Sequence, residues 1–320
     1  MLKDLARVGS VLVAAVAMCA AMPAIAQPAY PERPVTIVVA WPAGGATDLM
    51  TRGTQEAFAK ALGAQVVIKN VPGAAGTIGA AEAASAAPDG YTLLVTPIGP
   101  MVLQPHRMKL TYEPASFAPI CKMVDSPIVM MSPPNSLLKT VADVVAKAKA
   151  EGGKLAYGST GPGTIPHISM LGLAKAAGVP LKHVPYKGSA DVVQALLSNT
   201  VELFADQPNL VPQYNLTAIA IFSEKRIPTY KDTPTVKESG YDLSFSIWNA
   251  MFAPKGTPEP ILAKLDAACK EALADSGTVA SLEKQKQPID YRDRAGLKTF
   301  VDAEFEKARV LLQDAGLKVQ

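Results

Sequence analysis

The chain has 320 residues, a formal net charge of +3, 49% hydrophobic residues and 18% charged residues. This length allows one large or two medium domains with buried cores, and the composition is that of a globular protein, not a disordered one. Because the net charge is small, the sequence shows no basic field for nucleic acid, and nucleic-acid binding is not expected.

The first 26 residues are typical of a secretory signal peptide. Lys3 and Arg7 form a basic start, the apolar run VGSVLVAAVAMCAAM follows, and Ala26 ends a small-residue cleavage site before Gln27. The apolar run is short for a membrane anchor, and the residue before Cys19 does not fit a lipid attachment site. We therefore expect cleavage after residue 26 and a mature protein that works outside the cytoplasm.

The mature chain keeps two cysteines, Cys121 and Cys269. A disulfide is possible in an oxidising compartment, but two buried free thiols are the favoured interpretation. The sequence has no C-x-x-C motif, and its histidines, His106, His167 and His183, are scattered. Neither a metal site nor a cofactor is therefore expected.

Strand-like and helix-like segments alternate from residue 35 onward. VTIVVA (35–40), AQVVIK (64–69) and YTLLVTP (91–97) predict strands, with helical patterns between them. The alternation restarts at PIVMMSPP (127–134) and ends with LTAIAIF (216–222). This order predicts an α/β protein of two similar halves, each built around a parallel sheet.

The last part of the chain contains the apolar segment FSIWNAMFAPKG and two amphipathic helices. These helices need a sheet to cover, so we expect the chain to return to its first half. The predicted domains are a discontinuous domain 1, residues 27–125 with 226–320, and a domain 2, residues 126–225. A cleft between two α/β domains is a common ligand site.

Glycine-rich loops follow three of the predicted strands and precede helices: PAGGATD, PGAAGTIG and GSTGPGT. Ligands of open α/β sheets bind at this edge, where helix N-termini offer free N–H groups. The loops contain no lysine and no nucleotide-binding motif, so a small anion such as a carboxylate suits them better than a polyphosphate. The alternative is that the glycines only form tight turns and that Asp48 caps a helix.

Nucleophilic catalysis has little support in the sequence. YGSTG is not the G-x-S-x-G motif of hydrolases, and the spacing of Ser159, His167 and Asp206 does not indicate a triad. His167 is expected to have a structural or capping role, and His183 to be a strand residue. We therefore expect a binding protein and not an enzyme, with a secreted hydrolase using Ser159 or His167 as the alternative.

Several motifs occur in a fixed order: YPERPVTIVVAWPAGGATD, NVPGAAGTIGAAEAASAAPDGYTLL, YGSTGPGTIPHI, HVPYKGSA and MFAPKGTP. From about Tyr30 to the C-terminus, the chain resembles the extracytoplasmic solute receptors of the tripartite tricarboxylate transport system, often called Bug receptors. The resemblance implies a type II periplasmic-binding-protein fold that closes around one small ligand, and a monomeric protein.

The same resemblance implies a ligand and a partner. The ligand is a small carboxylate: a di- or tricarboxylate, an aromatic acid or an acidic amino acid. The partner is a membrane permease with a large and a small subunit. A receptor that reports its ligand to a two-component sensor kinase is the alternative.

Carried over from the family, the ligand is held mainly by backbone donors and hydroxyls of the glycine loops. The implied ligand-binding residues are Gly44, Gly45, Ala46, Asp48, Gly73, Gly76, Ser159, Thr160, Gly161, Thr164, Lys187, Gly188 and Asp206. Trp41, where the family often has Phe or Tyr, either stacks on an aromatic acid or covers the cleft. Trp248 is expected in the core.

Overall fold

The structure, a computed structural model, describes residues 30–317. From Arg33 onward the described chain forms one compact unit, and Tyr30–Glu32 belong to a separate N-terminal segment. The expected signal peptide lies outside the described residues. Within them, no helix has both the length and the apolar character needed to cross a bilayer.

Two sheets organise the compact unit. The strands of the first sheet are β1 (Val35–Val39), β2 (Val66–Asn70), β3 (Thr92–Pro97), β4 (Phe117–Pro127), β10 (Ser246–Pro254) and β11 (Ile289–Arg292). The strands of the second sheet are β5 (Val129–Ser132), β6 (Ala156–Ser159), β7 (Lys182–Pro185), β8 (Leu203–Asp206) and β9 (Thr217–Ile221). The strand orders are β11-β4-β10-β3-β1-β2 and β7-β6-β8-β5-β9. The expected mixed α/β architecture is confirmed.

In the parallel part of each sheet, glycine loops connect strands to helices. Strand β1 pairs in parallel with β2 and β3, and β6 pairs in parallel with β7 and β8. Strands β4, β5 and β10 run antiparallel to their neighbours. The parallel sheet expected in each half is thus present as part of a mixed sheet, because the extended segments that pass between the sheets also join them as antiparallel strands.

The helices are α1 (Ala46–Leu62), α2 (Thr77–Ala84), α3 (Val141–Glu151), α4 (Ile165–Ala177), α5 (Ser189–Leu197), α6 (Leu210–Tyr214), α7 (Glu259–Ala274), α8 (Ser276–Lys284) and α9 (Arg294–Asp314). In α1 the buried residues Met50, Thr54, Phe58 and Leu62 recur every four positions, so one face packs inward. The helix ends at Gly63, whose φ of 77° suits glycine.

Cys121 of β4 and Cys269 of α7 form a disulfide. Both residues are buried, and α7 packs against β4. The expectation of two free thiols was wrong. The chain returns to the first sheet after residue 245, and this return brings α7 onto β4 and its cysteine against Cys121.

Candidate functional site

A narrow cavity lies where the carboxyl ends of β1, β3, β6 and β8 meet. The volume of this cavity is about 30 Å³. Its lining comprises Trp41, Thr47, Pro97, Ile98, Gly99, Thr160, Thr164, Ile165, Pro166, Ser189, Asp206, Gln207 and Ile247. The cavity thus occupies the strand edge at which ligands of α/β sheets bind.

Three helices begin at this cavity. Thr47 lies in the first turn of α1, Ile165 begins α4 after the N-cap residue Thr164, and Ser189 begins α5. The first backbone N–H groups of a helix lack intrahelical partners, and the helix dipole is positive at that end. Three such ends around one cavity favour a negatively charged group within it.

The first glycine loop is held in shape by Asp48. The Asp48 carboxylate accepts hydrogen bonds from the Gly44 N–H and from Arg52 Nε, each at 2.9 Å, and from Asn70 Nδ2, also at 2.9 Å. Gly44 has a φ of 76°, and Gly45 is the N-cap of α1. Asp48 is buried but does not line the cavity, so its contacts here are those of a residue that fixes the loop.

The second glycine loop brings Gly76 against Trp41. A Cβ on Gly76 would lie 3.1 Å from Trp41 Cζ2, and the φ of Gly76 is 86°. Gly73 has a φ of 130°. Neither glycine lines the cavity, but Gly76 leaves space for the Trp41 ring, which does.

The third glycine loop, residues 159–164, is held by two stacked histidines. The Ser159 hydroxyl is 2.6 Å from His183 Nε2, and His167 Nδ1 accepts the Gly163 N–H at 3.0 Å. The two imidazole rings stack with centroids 4.0 Å apart. Burial lowers the pKa of His183. Burial also lowers the pKa of His167, to about 4, and the positive charges of the nearby His183 and Arg107 add to this effect.

This arrangement gives both histidines the structural roles that were expected from the sequence. His167 lies in the first turn of α4, and His183 lies in β7. The imagined triad is not assembled, because Ser159 pairs with His183 and not with His167. Of this loop, Thr160 and Thr164 line the cavity, whereas Ser159 and Gly161 support them from behind.

The loop before α5 packs tightly on the first glycine loop. Gly188 is the N-cap of α5 and lies against Pro42 so closely that a Cβ would not fit. Lys187 is exposed and does not line the cavity. Tyr214 donates its hydroxyl to the Gly44 carbonyl at 2.6 Å. Asn209 Nδ2 similarly donates to the carbonyl of Ala46 at 2.8 Å.

Asp206 is the last residue of β8 and lines the cavity. Its side chain is buried, and its oxygens accept hydrogen bonds from Ser189 Oγ at 2.5 Å and from the Gln207 N–H at 2.8 Å. Burial raises the pKa of Asp206 to about 6, against the lowering effect of these hydrogen bonds. At neutral pH the carboxylate is therefore still mainly ionised.

A larger pocket lies elsewhere, beside α9. Its volume is about 640 Å³, and its lining residues include Met101, Phe117, Phe252 and Phe305. It is not at the carboxyl ends of parallel strands, and no N-terminus of α1, α4 or α5 borders it. For an anionic ligand the smaller cavity is therefore the better candidate.

Comparison with known proteins gives concordant results. A family model described as "Tripartite tricarboxylate transporter family receptor" matches residues 50–317. A UPF0065 protein in the gbd 5' region of Cupriavidus necator is 34% identical over 318 residues, which cover 98% of this chain and 97% of that protein.

Solved structures agree. The periplasmic binding protein BugD is 33% identical and superposes with a TM-score of 0.85, over 91% of this chain and 100% of the other. MatC from Rhodopseudomonas palustris, solved with bound malate, is 30% identical with a TM-score of 0.81, over 88% of this chain and 100% of the other.

The chain belongs to the tripartite tricarboxylate transporter receptor family. It is thus a solute-binding protein of the Bug type and has the fold of the periplasmic binding proteins. Its relatives bind substrates and are not enzymes, which confirms the expectation of a binding protein.

Sequence reasoning missed several residues of this receptor's cavity. Thr47 and Ser189 each follow a glycine loop and lie in the first turn of a helix, a position that the sequence pattern could have indicated. Gln207 directly follows Asp206. Ile247 comes from β10, where it pairs with Ser126 of β4, and the position of β10 between β3 and β4 brings it to this edge.

Proposed function

We propose that this chain is a periplasmic receptor that captures one small carboxylate and delivers it to the membrane permease of a tripartite tricarboxylate transporter. The observation that carries this proposal is the cavity at the carboxyl ends of four strands, bordered by three helix N-termini. Membership of the receptor family and the malate bound to MatC support it.

In this proposal the ligand carboxylate lies at the helix N-termini. The Trp41 indole N–H has no hydrogen-bond partner within residues 30–317, and Trp41 is buried in the cavity lining. A buried donor without a partner is costly, so a ligand oxygen or a water molecule is expected to accept from it. Thr160 contributes its hydroxyl from the opposite loop, and Thr164, whose hydroxyl donates to the Gly161 carbonyl, lines the cavity there and holds that loop in shape. The glycines predicted from the sequence act by allowing these groups to approach.

We further propose two domains that close around the ligand, residues 27–125 with 226–320 and residues 126–225. The two sheets and their glycine loops support this division. Tyr214 and Asn209, which hydrogen-bond to carbonyls of the first glycine loop, would hold the closed form. We propose that the receptor acts as a monomer.

A thermal-shift screen of the purified protein against di- and tricarboxylates, aromatic acids and acidic amino acids tests this function. A ligand at 100 times its Kd should stabilise the protein by about 2.7 kcal/mol. Thr160→Ala should weaken binding about ten- to a hundred-fold by removing one charge-assisted hydrogen bond. Thr299→Ala, on α9 and outside the cavity lining, is the control.

Uptake of the identified acid by cells tests delivery. Cells that lack the receptor should lose uptake, and cells with the Thr160→Ala variant should show reduced uptake at low ligand concentration. No stabilisation by any acid in the screen would contradict carboxylate capture. Unchanged uptake without the receptor would contradict delivery to a permease and favour a sensing role.

A further inference from the structure

The cavity contains a negative charge that no cationic side chain of residues 30–317 balances. Asp206 is the one charged side chain among the described lining residues, and the lining has no lysine, arginine or histidine from residues 30–317. Within the same residues no ion pair involves Asp206. A buried carboxylate in such surroundings is costly unless a partner of opposite charge arrives with the ligand.

Asp206 also has unused capacity to accept hydrogen bonds. An ionised carboxylate has about four acceptor positions, and Ser189 Oγ and the Gln207 N–H occupy two of them. The carboxylate borders the same cavity as Thr160 and Thr164. A ligand in this space therefore meets helix N-termini and the Thr160 hydroxyl, together with an ionised carboxylate that Ser189 holds beside the start of α5.

These opposite charges favour a ligand that carries both a negative and a positive group. The helix N-termini favour carboxylates, whereas Asp206 opposes a carboxylate placed directly beside it and favours a cation there. An ammonium group beside the ligand carboxylate would satisfy Asp206 by a charge-assisted hydrogen bond. The cavity is narrow, with a volume of about 30 Å³, and this favours a compact ligand.

We propose that the ligand is a small amino acid, whose carboxylate lies at the helix N-termini and whose ammonium group donates to Asp206. This inference rests on the proposed carboxylate-binding function and narrows its ligand class. Ser189 is then a positioning residue, because its hydroxyl holds Asp206 Oδ2 and leaves other acceptor positions of Asp206 available to the ligand.

Matched pairs of acids that differ in one ammonium group test the proposal by titration calorimetry at pH 7.5. The pairs are L-aspartate with succinate and L-glutamate with glutarate. In the pair that contains the tightest-binding acid, we expect the amino acid to bind at least about ten-fold more tightly than the dicarboxylate. Asp206→Asn should weaken binding of that amino acid about ten- to a hundred-fold and leave the dicarboxylate unchanged or tighter.

The dicarboxylate serves as an internal control for folding of the Asp206→Asn variant. Asp266→Asn, whose side chain bonds Tyr291 outside the cavity, should leave both affinities unchanged. A dicarboxylate that binds the wild type as tightly as its amino acid would overturn the inference while leaving the carboxylate receptor intact. Wild-type amino-acid affinity in Asp206→Asn would also overturn it. No binding of any of the four acids would contradict the inference, and the carboxylate screen would then decide the receptor function separately.

Discussion

Asp206 and His167 show how burial at this site acts on single ionisable groups in opposite directions. Burial raises the pKa of Asp206 to about 6 and lowers that of His167 to about 4. In both cases the neutral form is favoured because the charged form loses water. The two groups therefore titrate in the same range of pH but with opposite effects on stability.

The stability of Asp206→Asn relative to the wild type should depend on pH. The pKa of Asp206 is higher in the folded state than its ordinary value of 3.8, so its ionisation costs stability as pH rises from about 4 to 6. The asparagine variant lacks this cost. The free energy of unfolding of the variant minus that of the wild type should therefore rise by about 2–3 kcal/mol between pH 4 and pH 7.5.

Urea unfolding of both proteins at pH 4.0, 5.0 and 7.5 measures this difference. Protonation of His167 lowers the stability of both proteins as pH falls from about 6.5 to 4, so its contribution cancels in the comparison. A difference that stays constant across these three pH values would mean that Asp206 is not a buried carboxylate with a raised pKa.

At the scale of helices and strands, the strongly patterned elements were predictable from the sequence. Strand β1 is a β-branched apolar run, and one face of α1 carries the apolar residues Met50, Phe58 and Leu62 at helical spacing. The structure also contains α6, α8 and β11, which the sequence interpretation missed. These elements are short: α6 has 5 residues and β11 has 4. Helix α8 follows Asp275, whose side chain caps it by accepting hydrogen bonds from the N–H groups of Gly277 and Thr278.

The disulfide between β4 and α7 should stabilise the fold substantially. It joins cysteines 148 residues apart, and cross-linking so long a segment restricts the unfolded chain. Replacing both Cys121 and Cys269 with serine should lower the free energy of unfolding by about 2–5 kcal/mol. Chemical denaturation of the variant and of the oxidised wild type measures the change.

The reduced wild type provides the control for this variant. Reduction with dithiothreitol should move the denaturation midpoint of the wild type towards that of the double serine variant and leave the variant unchanged. If oxidised and reduced wild type unfold at the same denaturant concentration, the two cysteines are not linked in the protein, and the sequence expectation of free thiols was right.

At the scale of the whole molecule, the edge of the sheets that forms the cavity was predictable but its full lining was not. Parallel strands end at one edge, and the glycine loops after β1 and β6 mark that edge in the sequence. Ile247 lines the cavity only because β10 inserts between β3 and β4, a pairing that no local pattern encodes. The contact of Tyr214 with Gly44 likewise joins residues 170 positions apart.

The central claim is that one small carboxylate binds between the first glycine loop and the loops of the second sheet. Gly45 lies at this junction: a Cβ there would be 3.1 Å from the Pro42 carbonyl oxygen of its own loop, 3.7 Å from the Ala190 N and 3.8 Å from Ser189 Cβ. The larger side chain of Gly45→Val would enter the space beside the start of α5, next to the cavity. Gly172→Ala in helix α4 serves as a control, because the added Cβ would lie at van der Waals distance, 3.6 Å from Leu243 Cδ2.

Titration calorimetry of these three proteins with L-aspartate, L-glutamate, L-malate and succinate tests the claim most directly. We predict that the wild type and Gly172→Ala bind at least one of these acids with equal affinity. Gly45→Val should remain folded by circular dichroism and lose at least about a hundred-fold in affinity, because its side chain keeps the two loops apart. Wild-type affinity in a folded Gly45→Val would contradict the account and place the ligand site elsewhere.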